Sequence, residues 1–235
     1  MLPRLAPLFS VPIPVPTFVG HRSERFPWPF FGTRLLPGDE VANARLDDKA
    51  RVALGVELGR FLRALHSPEL RALVDPDDAL PVDPLGRADM DKRVSIARKS
   101  LGELESTGVW QNNALVARVL DRASRLAPRE RVFVHGDLHL RHVLVEGESL
   151  AGVIDWGDCC TGDPSIDLPL VWCMLPPEGR DAFFAEYGAV DEDVHSRARV
   201  LALGLCAMLA IYAHSVANAN LLRESVAGLE RTLVD

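Results

Sequence analysis

The chain has 235 residues, 48% of them hydrophobic, which is enough to bury a sizeable core and too many for a disordered or fibrous segment. Its net charge of −7 argues against a nucleic-acid partner, since such a partner calls for a basic face that displaces counterions. The four cysteines, Cys159, Cys160, Cys173 and Cys206, form no CxxC pair and read as reduced packing residues, not as a disulfide framework or a thiol site.

Taken in order, Pro3, Pro7, Pro12, Pro14 and Pro16 interrupt every apolar run near the start, so no signal-peptide core forms there and the expected location is the cytoplasm. Thr17–Gly20 reads as a strand, and Phe26–Gly38 as one more β segment and a hinge. From Leu46 the period becomes helical. Asp47 and Asp48 are cap residues for a helix whose Leu54, Leu58, Phe61, Leu62 and Leu65 share one face, with Gly55 and Gly59 allowing close packing. His66 reads as a polar helix end. Residues 67–86, rich in proline and aspartate, read as an exposed loop bordering an acceptor site. Asp89–Glu105 and Trp110–Leu126 read as two further amphipathic helices. Beyond the central stretch, Asp163-Pro164 supplies a cap and first-turn proline for a helix over Ser165–Leu175, and helices at 178–187 and 191–233 complete the chain. The longest apolar run, Val200–Ala213, has the length of a core helix and falls short of a bilayer span, so no membrane partner is expected.

The reactive side chains concentrate between Val132 and Leu168. Val132–Val134 is a short buried strand broken by His135-Gly136-Asp137. Val143–Val145 and Leu150–Ile154 form a hairpin across Glu146-Gly147-Glu148-Ser149, and its second strand ends in Asp155. We expect the two strand ends to lie side by side and to present Asp137 and Asp155 to one cleft. Phosphoryl transfer needs such a pair: one carboxylate deprotonates an attacking hydroxyl, and another holds the divalent ion that neutralises the phosphates. Asp158 and Asp163 read as turn and cap residues before they read as metal ligands.

His135-Gly136-Asp137-Leu138-His139, a polar residue five positions after the aspartate, Ile154-Asp155-Trp156-Gly157 and Gly162-Asp163-Pro164 with Asp167-Leu168 together resemble the aminoglycoside phosphotransferase family. The resemblance implies an α+β, protein-kinase-like fold. A remnant of the small β lobe with its hinge would occupy residues 1–40, and a mostly helical lobe around a small catalytic hairpin would occupy residues 41–235. By position, Asp137 resembles the catalytic base and Asp155 the magnesium-binding, nucleotide-side aspartate. Asp167 resembles the buried aspartate that supports the loop, with His135 as a further brace. His139 and Arg141 are candidate contacts to substrate or phosphate. At the second metal position the family usually carries asparagine and this chain carries His142, a substitution that some macrolide kinases also resemble. The implied cofactors are ATP or GTP with magnesium, or manganese as the softer alternative. The implied partner is a small hydroxyl-bearing molecule, either aminoglycoside-like, macrolide-like or another alcohol.

A kinase-like small lobe also has a glycine-rich loop and a strand lysine. None of the 17 glycines makes a G-x-G pair, and Lys49, Lys92 and Lys99 all fall in helical patterns. We therefore expect several tens of residues found in relatives to be missing, through a late start codon, a fragment or a degenerate gene, and expect this chain alone to bind ATP weakly. Two other readings stay open. One is a non-catalytic kinase-like binding module; the other is a metallohydrolase using the histidines of HGDLHLRH, although no D-x-H or H-E-x-x-H frame supports it elsewhere.

Overall fold

The computed structural model describes residues 1–123 and 131–234. The chain opens with a short helix α1 (Leu2–Leu5) and a hairpin of β1 (Pro16–Gly20) and β2 (Phe30–Thr33), followed by a two-residue strand β3 (Asp39–Glu40). Four helices follow, α2 (Asp48–Leu65), α3 (Pro68–Val74), α4 (Met90–Ser106) and α5 (Ala114–Asp121). Then come the short strands β4 (Val132–Val134), β5 (Val143–Glu146), β6 (Ser149–Val153) and β7 (Cys160–Gly162). Four helices close the chain: α6 (Pro169–Met174), α7 (Pro177–Tyr187), α8 (Glu192–Ser215) and α9 (Ala219–Leu233).

Local chemistry sets the helix starts. Asp47 accepts from the Ala50 amide and Asp89 from the Lys92 amide, each filling one orphan donor of a first turn. The α2 face of Leu54, Leu58, Phe61, Leu62 and Leu65 is fully buried, and α2 lies against α7. Gly55 and Gly59 make that approach possible. A Cβ on Gly55 would stand 2.5 Å from the Gly179 carbonyl oxygen, and one on Gly59 would stand 2.6 Å from that of Phe183.

Four expectations change. Residues 67–86 are not one loop, because Ser67 accepts from the Leu70 amide and Pro68 begins α3. A proline at the first helical position starts a helix as readily as it ends one. The helix over 191–233 is two helices, parted where Ala217 turns left-handed (φ 53°) and Asn218 caps the next by accepting from the Leu221 amide. The segment over Ser165–Leu175 is a 3-10 turn at Pro164–Ile166 followed by α6. Of the helix expected over Trp110–Leu126, α5 takes Ala114–Asp121, capped by Asn113, and residues 124–126 lie outside the described residues.

The 24-residue α8 is long and apolar enough to cross a membrane by length and composition, but half of its most apolar window is buried inside the protein, where it packs against α4, α6 and α9. Leu5, Val11 and Ile13 join the same core, and Phe9 packs on Phe61 and Trp156. The β1–β2 hairpin leaves Phe18, Val19, Trp28, Phe30 and Phe31 exposed.

The site rests on two separate small sheets. β5 pairs antiparallel with β6 and, on its other side, with β3, so Asp39 faces Val145 and Glu40 faces Leu144. β4 pairs with β7, not with the hairpin, placing Val132 opposite Gly162 and Val134 opposite Cys160. The strand ends that lead to Asp137 and Asp155 therefore belong to different ladders.

Candidate active site

Because no ladder joins these two strand ends, side chains must fix the loops beyond them. Asp167 is completely buried. Its Oδ2 accepts from the His135 amide at 2.7 Å, and its Oδ1 accepts from the Gly136 amide at 2.9 Å. Burial alone would raise the pKa of this carboxyl. The hydrogen bond from His66 outweighs burial, aided by the Gly136 amide, and holds it below the ordinary carboxylate value. Gly136 is required as glycine: its φ is +88°, and a Cβ there would stand 2.3 Å from the Asp158 carbonyl oxygen.

His135, also fully buried, ties the two loops together. Its Nδ1 accepts from the Asp137 amide at 3.2 Å, so Nε2 carries the hydrogen that is donated to the Ile154 carbonyl at 2.9 Å. Burial foremost pushes its pKa down, consistent with a neutral brace. Asp155 follows Ile154 in a left-handed conformation (φ 63°, ψ 62°), an uncommon backbone for a non-glycine residue, and its carboxylate is largely exposed.

His142 stands between the two aspartates. Nδ1 donates to the Asp137 carbonyl oxygen at 2.7 Å and lies 3.6 Å from Asp137 Oδ2, while Nε2 lies 3.3 Å from Asp155 Oδ2. With the hydrogen on Nδ1, the Nε2 lone pair turns toward the Asp155 carboxylate. Adjacent ligands on an octahedral ion with ~2.1 Å bonds are separated by about 3 Å, so this oxygen and nitrogen have the spacing of two ligands on one small divalent ion.

His139 stacks on His142 with ring centroids 3.7 Å apart, and its Nε2 is 3.8 Å from Asp137 Oδ2. Burial, then the neighbouring His142 and Arg141, lower its pKa to about 3, so it is neutral near pH 7. Arg141 engages Glu40 (3.4 Å) and lies over the Tyr212 ring instead of meeting the aspartates. Asp163 is withdrawn from any metal: it is buried, accepts from the Ser165 amide and pairs with Arg197 at 2.8 Å. Asp158 pairs with Arg87 at 2.5 Å. Cys159 and Cys160 are free thiols whose pKa values burial pushes up, to about 11 for Cys160, and they are inert packing residues.

Known proteins share this fold. A profile of the phosphotransferase enzyme family, APH, matches residues 1–201. The chain belongs to that family. Among solved structures it is similar to the GDP and kanamycin complex of APH(2")-IIia (21% identity, TM-score 0.62), covering 99% of this chain and 79% of that one. It is also similar to the apoenzyme of the macrolide 2'-phosphotransferase MphH from Brachybacterium faecium (20%, TM-score 0.57; 97% and 77%). A third similar structure is spectinomycin phosphotransferase, APH(9)-Ia, with ADP and its antibiotic (18%, TM-score 0.55; 92% and 71%). At these identities the likeness establishes the α+β, protein-kinase-like fold.

Sequence reasoning missed two residues of this candidate site. His66, taken as a polar helix end, is buried; its Nε2 donates to Asp167 Oδ2 at 3.1 Å and its Nδ1 accepts from the Tyr187 hydroxyl at 2.7 Å. The signal was its position, four residues after Leu62 and eight after Leu58 on the buried face of α2. The second is Arg87, whose Nη2 lies 3.7 Å from Asp137 Oδ1. Asp83 positions it by accepting from the Arg87 and Ala88 amides, an arrangement no periodicity announces. Arg87 and Asp137 also line a cavity of about 170 Å³ between α4 and α8. A larger one, about 320 Å³, is lined by His66, Asp163, Tyr187 and Arg197 and includes neither Asp137 nor Asp155, so the smaller is the one next to the chemistry.

Proposed function

We propose that this protein transfers the γ-phosphate of ATP or GTP to a hydroxyl of a small molecule. The observation that carries the reading is the placement of Asp137 and Asp155 on either side of His142, at 3.6 and 3.3 Å, with both loops pinned through His135. Asp137 would accept the hydroxyl proton as the acceptor oxygen bonds to phosphorus, and the nucleoside diphosphate leaves with the electrons of the broken P–O bond. Asp155 and His142 would hold magnesium, or manganese. A divalent ion there supplies charge that neutralises the phosphate oxygens. Asp167 and His66 hold the loop so that Asp137 needs no reorganisation when the acceptor arrives.

In this reading residues 1–40 are the small-lobe and hinge part and residues 41–235 the catalytic lobe, working in the cytoplasm where nucleoside triphosphates are available. The metallohydrolase alternative draws on Asp137, His139 and His142, which offer ligand atoms within 4.8 Å of one another. The two imidazoles are stacked at 31°, however, which aims their nitrogens side by side rather than at one point, and His142 Nδ1 is already engaged by the Asp137 carbonyl. Dependence on a nucleoside triphosphate separates the two readings.

The test is a pair of variants. Asp137→Asn should lower phosphorylation of an acceptor by at least ~100-fold while nucleotide–magnesium binding, read by calorimetry, stays within a few-fold. Asp155→Asn should weaken that binding itself. Equal loss of binding in both variants rejects the division of roles.

A further inference from the structure

The acidic composition of the chain suits cationic ligands, yet the cavity beside Asp137 has a different chemistry. Ile96 of α4 and Leu201, Leu205 and Met208 of α8 form an apolar wall, the three α8 residues recurring at i, i+4 and i+7. Leu201 and Leu205 are only partly buried and Met208 is exposed, so this stripe leaves apolar surface facing open space. Among the described residues, the charged groups lining the cavity are Asp137, Arg87 and Arg93. Both guanidinium groups are held in place. Arg87 is clamped by Asp158, and Arg93 donates from Nε to the Gly86 carbonyl and from Nη2 to that of Leu85.

We propose that the acceptor of this site has an apolar body and no positive charge, and that Arg93 disfavours polycations. The proposal rests on phosphate being transferred at Asp137 and names the class of molecule that brings the hydroxyl. Arg87 is matched by Asp158 and Asp137, whereas Arg93 is held by backbone carbonyls, so its charge repels an amine in a partly dehydrated cleft more than it would in bulk water, because the effective dielectric is lower there. The apolar stripe rewards a hydrocarbon or ring surface that leaves water. A cavity of about 170 Å³ takes one ring or a short chain and leaves the rest of a larger ligand at the surface.

The experiment is calorimetric titration of the 235-residue chain, without nucleotide, with n-hexyl β-D-glucoside and separately with kanamycin, repeated on Met208→Glu. Met208 is exposed on α8, so the substitution leaves the core untouched. The wild type should bind the glucoside at least tenfold tighter than kanamycin. Met208→Glu should weaken the glucoside several-fold and narrow or reverse the ratio. Kanamycin binding as tightly as the glucoside overturns the proposal, and so does a Met208→Glu variant that leaves the glucoside unchanged, which would place it on another apolar surface such as the exposed β1–β2 hairpin. Glucoside preference beside nucleotide–magnesium binding that Asp155→Asn leaves unchanged would reject the phosphotransferase reading and leave the ligand class standing.

Discussion

Replacing Asp167 with asparagine is the most informative single change to the fold of the site. The carboxylate satisfies three donors: the His135 amide and His66 Nε2 at Oδ2, and the Gly136 amide at Oδ1. An asparagine of the same shape has one acceptor oxygen. Placed where Oδ2 stood, that oxygen keeps two donors, but the new NH2 then faces the Gly136 N–H, donor against donor, in a site with no solvent access at His135 or Asp167. One hydrogen bond to a charged acceptor, about 1.5–3 kcal/mol, is lost, and a buried donor is left unsatisfied, so the expected cost is about 2–4 kcal/mol. With an m-value of about 2 kcal/mol/M, the urea midpoint at pH 7 should fall by about 1–2 M. The pH dependence provides a second reading. The folded carboxyl titrates below its unfolded value of ~3.9, so its stabilising contribution is complete above that value and is lost as pH falls through the lower folded pKa. The difference between wild type and Asp167→Asn should therefore be full at pH 7 and shrink at pH below ~4. An asparagine variant with the wild-type midpoint at pH 7, or a penalty independent of pH in the acid range, would refute the bracket as the element that fixes this loop.

Two other substitutions test separate parts of the structure. His142→Asn replaces an imidazole nitrogen by a harder oxygen ligand, so the ratio of magnesium- to manganese-supported rate should rise several-fold in initial-rate assays; an unchanged ratio would remove His142 from the metal. His195 is half-buried between the rings of Trp172 and Phe184, where burial first and Arg199 second lower its pKa against the pull of Glu192, so the unfolded chain takes up a proton near pH ~6.5 that the native state refuses. Stability should fall as pH drops below that value, and His195→Phe should flatten this limb between pH 7 and 5 in urea melts; an unaltered slope would show that His195 does not contribute to it.

Much of this molecule is legible in its sequence where the signal is local. The caps at Asp47 and Asp89, the buried face of α2 and the β5–β6 hairpin all follow from residues within one or two turns of each other. The pairing of β4 with β7 is not local. Two three-residue strands separated by 25 residues carry too few side chains to specify a partner, and an apolar strand beside a hairpin reads equally well as its third member. His66 and Arg87 were hidden for a related reason: each acquires its role from a residue far along the chain, Asp167 and Asp137 respectively, and histidine or arginine at a helix end or in a loop has an ordinary solvent-facing reading.

The same separation explains how the two aspartates are held. Backbone ladders place β4 and β6 but leave the spacing of the loops beyond them free, since the strands do not pair with each other. Side chain to backbone bonds remove that freedom. His135 accepts from the Asp137 amide and donates to Ile154, His142 donates to the Asp137 carbonyl, and the Ile154 amide donates back to the carbonyl of His142. The ring of Trp156 is tied down on the far side of Asp155 by its own bond to the Val153 carbonyl. A left-handed aspartate costs roughly 1–3 kcal/mol, and it persists only where its flanks are over-determined in this way. The strands thus fix where the two loops begin. Three histidines, His66, His135 and His142, together with one buried aspartate, fix where the Asp137 and Asp155 carboxylates end up. His135 and His142 do this from inside the motif stretch and His66 from the end of α2, and their ring nitrogens bond mainly to backbone groups and to Asp167.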